Sequence, residues 1–378
     1  MGPYLSSVLL ATQGGSWAKA DAELAKVEAY QQKWGKNVVP DENKVKLEVL
    51  MNTLDINFKL LIFYTIIGGL LLVLGFVELF KPSKMLHNVV KALICLGAVG
   101  YFLHFLGLVA RWYISGHAPW SNGYEAIMFI SWIGITAGFI LYRNSNTLIP
   151  AAGFMVAMIL MGFAHGAIGL DPQITPLVPV LKSYWLVIHV AIITSSYGFF
   201  SLSMIIAMIS LIFYIIASKN AFKKHNDTTL KELAIVSEMS LNIGLLTLTV
   251  GNFLGGVWAN ESWGRYWSWD PKETWAFISI MIYAFVIHMR LVPGLRGRYT
   301  FHVVTMFAFC SMVMTYFGVN YYLSGLHSYA KGDPIPLPLW VYISISYMIV
   351  LSVAAWFKYK KLHNDLHIKK DERTQVEP

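Results

Sequence analysis

The chain has 378 residues, 29 Lys and Arg against 21 Asp and Glu, a formal net charge of +8 and a mean hydropathy of +0.54. Hydrophobic residues make up 56% and charged residues only 13%, about half of the roughly 25% usual in soluble domains. A water-soluble globule cannot hide that much apolar surface, and disorder needs the opposite composition; the composition predicts an all-α, polytopic helical membrane protein, with its basic excess in cytoplasmic loops and not on a nucleic-acid surface.

In chain order, residues 1–58 are polar and mixed in charge, helix-like around Asp21–Gln32, and carry no signal-peptide pattern. From Lys59 onward apolar runs of the ~20 residues that a bilayer needs alternate with short polar loops. Nine spans are predicted, at about 59–79, 92–110, 124–142, 148–169, 184–217, 241–256, 274–290, 301–322 and 338–357. The fifth is long enough to tilt or to project from the membrane. Residues 228–240 read as an amphipathic interfacial helix. The expected organisation is an extracytoplasmic tail or fusion junction over 1–58, a transmembrane domain over 59–357 and a basic cytoplasmic tail over 358–378.

Alternate loops hold 17 and 5 Lys and Arg. The richer set belongs in the cytoplasm, which puts the N-terminus outside and the C-terminus inside an inner, cytoplasmic membrane. A tail bearing Lys19, Lys26, Lys33, Lys36, Lys44 and Lys46 must then cross the membrane. The simplest expectation is that the chain is the C-terminal part of a longer protein, delivered by an upstream span.

The poorer loops are rich in Trp, His, Gly and Pro. The segment 257–275, read as a loop, carries Trp258, Trp263, Trp267, Trp269 and Trp275 among Asp270, Lys272 and Glu273. An interfacial aromatic belt supplies one or two Trp per span end, so this density points to a shelf for a large, flat, apolar ligand with polar edges. Lys272 or Arg265 would pair with carboxylates on such a ligand.

His189, near the outer end of span five, and His327, just past the outer end of span eight, fall on the same side as that shelf. Two imidazoles from different helices are what axial haem ligation requires. His288, near the inner end of span seven, is an intramembrane ionisable residue and therefore a functional candidate. His104 suits ligation and packing equally. His117 reads as structural and His165 has no assigned role. His87, His225, His302, His363 and His367 read as solvated on the cytoplasmic side. Cys95 and Cys310 lie in apolar runs, and no CxxC or CxxCH occurs, so neither thiol exchange nor an own covalent haem is indicated. No P-loop, GxGxxG, HExxH or GxSxG pattern fits.

WGRYWSWDPKETW at 263–275 resembles the tryptophan-rich WWD signature of haem-handling proteins of cytochrome c maturation. RWYISGHAPWSNGYEAIMFISW at 111–132, TPLVPVLKSYWLVIHV at 175–190 and GLHSYA at 325–330 resemble its CcsA/ResC branch, the system II synthase type. The resemblance implies that haem b, bound as substrate, is carried in the membrane and presented at its outer face. There it is attached to the CxxCH motif of apocytochrome c. It implies outer axial ligation of the haem iron by His189 and His327, with His288 as ligand of an earlier, intramembrane haem. The partner of His288 would lie in a CcsB/ResB-type subunit or fused half, the two together forming a holocytochrome c synthase, a haem lyase. No general acid is obvious: Asp270 and Glu273 are candidates, and Asp-Pro followed by Lys-Glu equally suits the turn opening span seven. Two alternatives stand beside this reading: a bis-His, b-type membrane electron carrier, and a haem permease without ligation chemistry.

Overall fold

The computed structural model describes residues 2–35, 38–142, 146–166, 170–175, 177, 183–216, 225–326 and 337–374. Among the described residues every regular element is helical. The chain divides into two units, Met1–Leu54 and Asp55–Pro378.

The first unit holds α1 (Gly2–Thr12), α2 (Ala18–Trp34) and α3 (Glu42–Leu54). The stretch expected over Asp21–Gln32 is therefore the middle of α2, and α1 and α3 escaped the sequence reading. α3 opens after Asp41, whose carboxylate accepts the Asn43 N–H at 2.7 Å, the local bond that favours Asp at helix starts.

In the second unit are α4 (Ile56–Phe80), α5 (Lys84–Ser115), α6 (Gly123–Leu141), α7 (Leu148–Gly166), α8 (Tyr184–Ile216) and α9 (His225–Trp263). They are followed by α10 (Pro271–His288), α11 (Arg298–Val313), α12 (Val319–Tyr322) and α13 (Leu339–Thr374). A π-helical turn, Met314–Gly318, joins α11 to α12. Among the described residues nine spans are long and apolar enough to cross a membrane, as the hydropathy predicted. α6, α7 and α8 form the buried centre, and α4, α5, α10 and α13 leave most of their apolar surface outward. α6 and α7 meet through Gly134, Gly138 and Gly153, where a Cβ on Gly153 would stand 3.1 Å from the Gly134 carbonyl oxygen. Small residues let backbones approach where packing alone drives helix association.

Helix ends follow local chemistry. The Ser83 hydroxyl accepts the Leu86 N–H, Gly116 closes α5 at φ 73°, and the Asn122 side chain caps α6 through the Glu125 N–H at 2.8 Å.

Two expectations are corrected. Residues 228–240 do not form a separate interfacial helix but the first turns of α9. Their face is not given to lipid headgroups: Leu230 and Leu233 are buried. Ser240 Oγ donates to the Phe199 carbonyl, and Ser203 Oγ on α8 donates to the Ser237 carbonyl. Likewise 257–275 is not one loop. Residues up to Trp263 belong to α9 and those from Pro271 to α10, leaving 264–270 as the connection. α13 also runs unbroken to Thr374, across the expected start of the tail at 358.

Candidate functional site

At the Trp-rich end of the second unit a cavity of about 290 Å³ opens between α6, α8, α9, α10 and α12. Gly264 at φ 70° ends α9, with its N–H on the Asn260 carbonyl. Asp270 and Pro271 start α10 as N-cap and first helical residue, the asymmetry expected of helix termini. Between them Glu273 reaches back to accept the Ser268 N–H at 3.0 Å. The seven-residue connection is thus folded onto the head of α10, and Trp267 becomes part of the cavity wall.

His189 forms the α8 wall. Its Nδ1 lies 2.7 Å from the Gly251 carbonyl oxygen. A carbonyl can only accept, so Nδ1 carries the proton of this bond, and Nε2 is the ring nitrogen of the kind that binds a metal. The ring stacks on Trp258 at 6.4 Å and 12° and rests on Gly255, where a Cβ would overlap the imidazole. Trp258 is 1% exposed and meets Trp263 edge-on at 4.7 Å. Trp120, absent from the sequence-derived site, also lines the cavity, its indole N–H donating to the Val187 carbonyl. Its signal was its place beside His117 in a matched segment.

Lys272 and Glu273 line the cavity too. Lys272 Nζ donates to Asn320 Oδ1 at 3.0 Å. Arg265 sits over Trp263 at 5.4 Å and faces Glu273 at 3.6 Å. Asp270, expected among ligand contacts, is not on the wall. It is buried, with one carboxylate oxygen accepting the Lys272 N–H and the other the Leu326 N–H. Trp263, Trp269 and Trp275 do not line the cavity either. Trp269 is 71% exposed, adopts φ 62° and packs edge-on against Trp267 at 5.7 Å.

His327 lies outside the described residues. His288 is at the far end of α10, about 25 Å along the helix at 1.5 Å per residue. It is exposed on the bundle surface, and its Nδ1 is bonded to the Ala284 carbonyl at 2.7 Å. The structure therefore keeps His288 and His189 apart. His104 is buried, with Tyr64 its ring neighbour. His117 spans the carbonyls of Ala118 and Thr175, and His165 stacks on Phe58.

Of the histidines read as solvated, one is half-exposed with a partner and one is buried. His87 pairs with Glu78 at 2.9 Å. His302 is completely buried among the packed helices, because it lies one turn into α11, on the inward face. The side chains of His225, His363 and His367 lie outside those described.

A second, more polar cavity of about 250 Å³ shares Asn122, Gly123, Tyr316 and Asn320 with the first. The loop on its rim is held by Arg111, which pairs with Glu125 at 2.7 Å and donates to the Pro172 and Gln173 carbonyls.

Residues 120–327 match the family described as Cytochrome C assembly protein. Protein NrfI of Wolinella succinogenes is 45% identical over 313 residues, covering 83% of this chain and 34% of NrfI; the chain spans about a third of that relative. Cytochrome c biogenesis protein CcsA of Prochlorococcus marinus (strain MIT 9215) is 37% identical over 299 residues, 71% of this chain and 92% of CcsA. Among solved structures, Cytochrome c Heme Lyase CcmF has the same fold, with a TM-score of 0.53 at 13% identity over 81% of this chain and 51% of CcmF.

Proposed function

The chain belongs to the cytochrome c assembly protein family, and from that premise we propose that it holds haem as substrate in the cavity beside His189 and presents it for attachment to apocytochrome c. The observation that carries this reading is the Nδ1–Gly251 bond. It fixes the His189 tautomer and ring plane, and so assigns the metal-binding lone pair to Nε2 on the wall of an aromatic cavity. The second axial ligand is His327, on the resemblance alone.

The cavity's size fits this role. Ligand pockets span about 300–1,000 Å³, and this one is at the lower limit. It suits one region of a macrocycle, with an edge left outside. Trp267 supplies stacking surface, Trp258 backs the His189 ring, and His189 supplies the axial nitrogen. Attachment adds a cysteine S–H across a vinyl group: sulfur bonds one carbon, the proton goes to the other, and no electron is exchanged. Holding both reactants at one place is the main contribution of this chain.

In this reading His288 serves an earlier haem position. Its exposure on α10 suits a second ligand from a CcsB/ResB-type subunit or fused half. Residues 1–58 are then the extracytoplasmic junction to that half, and the Trp-rich end faces outward from the inner membrane, with the C-terminus in the cytoplasm. The test is the absorbance of the purified full chain with and without that partner. The reading predicts a substoichiometric, dissociable, low-spin haem b, passed to a CxxCH peptide under reducing conditions. Two tightly held b haems, or no haem at all, would reject it.

A further inference from the structure

We propose that Lys272 is the specificity-determining residue of this cavity. Its ammonium receives a carboxylate of the bound ligand, and so fixes which edge of a planar macrocycle points inward. The inference rests on the function proposed above and specifies the ligand's chemistry and orientation.

Among the described residues the Lys and Glu side chains lining the cavity are Lys272 and Glu273. Glu273 is committed to its own loop: one oxygen faces Arg265 at 3.6 Å and the other accepts the Ser268 N–H. Asp270, next but one in the chain, spends its carboxylate on the backbone N–H groups of Lys272 and Leu326. Lys272 is different. Of its three N–H donors, one reaches the neutral Asn320 amide oxygen at 3.0 Å, and among the described residues it makes no ion pair. A largely buried ammonium is rarely left without a counter-charge. Here it faces a cavity whose walls include Trp120, His189, Trp258 and Trp267. Asp270 is the nearby acid whose charge acts on it, without a direct ion pair, and a ligand carboxylate would add one. Arg265 does not take this part, because it is not among the residues lining the cavity; its guanidinium lies over Trp263 and faces Glu273.

Lys272 and Asn320 mark the α10–α12 side of the cavity, and His189 the α8 side. With iron at His189, the carboxylates of haem go to Lys272. Its vinyl groups, on the opposite edge of the macrocycle, are left for the thiols.

The test compares haem with haem dimethyl ester, which keeps the macrocycle and removes the carboxylate charge. Affinities are titrated into the full chain in detergent for wild type, Lys272→Gln, Lys272→Arg and Arg265→Gln. Wild type should favour the diacid by about tenfold or more, the range of one charge-assisted hydrogen bond. Lys272→Gln should lose that preference while binding the ester as wild type does, which also shows that it is folded. Lys272→Arg should retain a preference, and Arg265→Gln should leave it unchanged. An undiminished preference in Lys272→Gln, or none in wild type, overturns the inference and leaves the haem site standing. Failure of wild type to bind either compound overturns the haem reading and this inference with it.

Discussion

Asp270 accepts the Leu326 backbone N–H at 2.6 Å, so the carboxylate that opens α10 also holds the residue immediately before His327. The approach is close enough that a Cβ on Gly325 would collide with the same carboxylate and with Pro271. The acid of the tryptophan-rich motif thus works through the backbone and not on the cavity wall.

An amide can replace it. Asp270→Asn keeps an oxygen that accepts from Leu326, whereas Asp270→Ala removes the helix cap, worth ~1 kcal/mol, and strands a buried N–H at a further ~1–3 kcal/mol. Thermal unfolding in detergent should rank wild type, Asn, then Ala. Gly325→Ala should resemble Asp270→Ala.

Gly255 tests the seat of His189. An alanine methyl there overlaps the ring, whereas one on Gly256 meets only the Tyr266 carbonyl oxygen at 3.1 Å. Gly255→Ala should reduce bound haem at least tenfold. Gly256→Ala should reduce it far less, both read as haem per purified protein.

The tryptophans should separate by position. Trp267 lines the cavity and Trp269 is exposed, so Trp267→Ala should lower haem affinity by the ~0.5–1.5 kcal/mol of a ring contact plus its burial. Trp269→Ala should be near neutral. Equal losses would show that the two act as one platform.

Arg111 and Glu125 form a buried ion pair. Arg111→Ala leaves the buried Glu125 carboxylate without its counter-charge, held only by hydrogen bonds such as that from the Ser121 N–H, and should cost ~3–5 kcal/mol, whereas Arg111→Ala with Glu125→Ala should cost less than Arg111→Ala alone. Midpoints of thermal unfolding decide the order.

Much of the architecture was legible because span detection needs only length and apolarity, which the bilayer enforces residue by residue. The start of α10 was equally visible, since Asp270-Pro271 carries its capping chemistry locally. Segments whose fate depends on tertiary partners were not. Residues 228–240 look amphipathic in any setting, and only the bonds to Phe199 and Ser203 show that α8 takes up their face. His302 follows the polar Arg298–Thr300 stretch in sequence, and helix periodicity turned it inward. At the site His189 was found from its context, but its lock on Gly251 joins residues 62 apart in sequence, beyond any motif. Asp270 was misplaced for a similar reason: a conspicuous acid in a motif suggests a ligand contact, and its partner is a backbone N–H 56 residues away.

The orientation rests on the uneven distribution of Lys and Arg between loops. Reporter fusions after Asn226 and after Gly332 should fall in opposite compartments, the second outside. The same compartment for both would remove the assignment of the Trp-rich end to the outer face.

The central claim is that His189 Nε2 binds the iron of a haem held in the aromatic cavity. The most direct measurement is the visible absorption spectrum of purified His189→Ala, with and without added imidazole, alongside cytochrome c assembly in the same cells. The account predicts that the variant loses haem and assembly, and that imidazole restores a low-spin spectrum and part of the assembly. A variant that keeps the wild-type spectrum, haem content and assembly would contradict it.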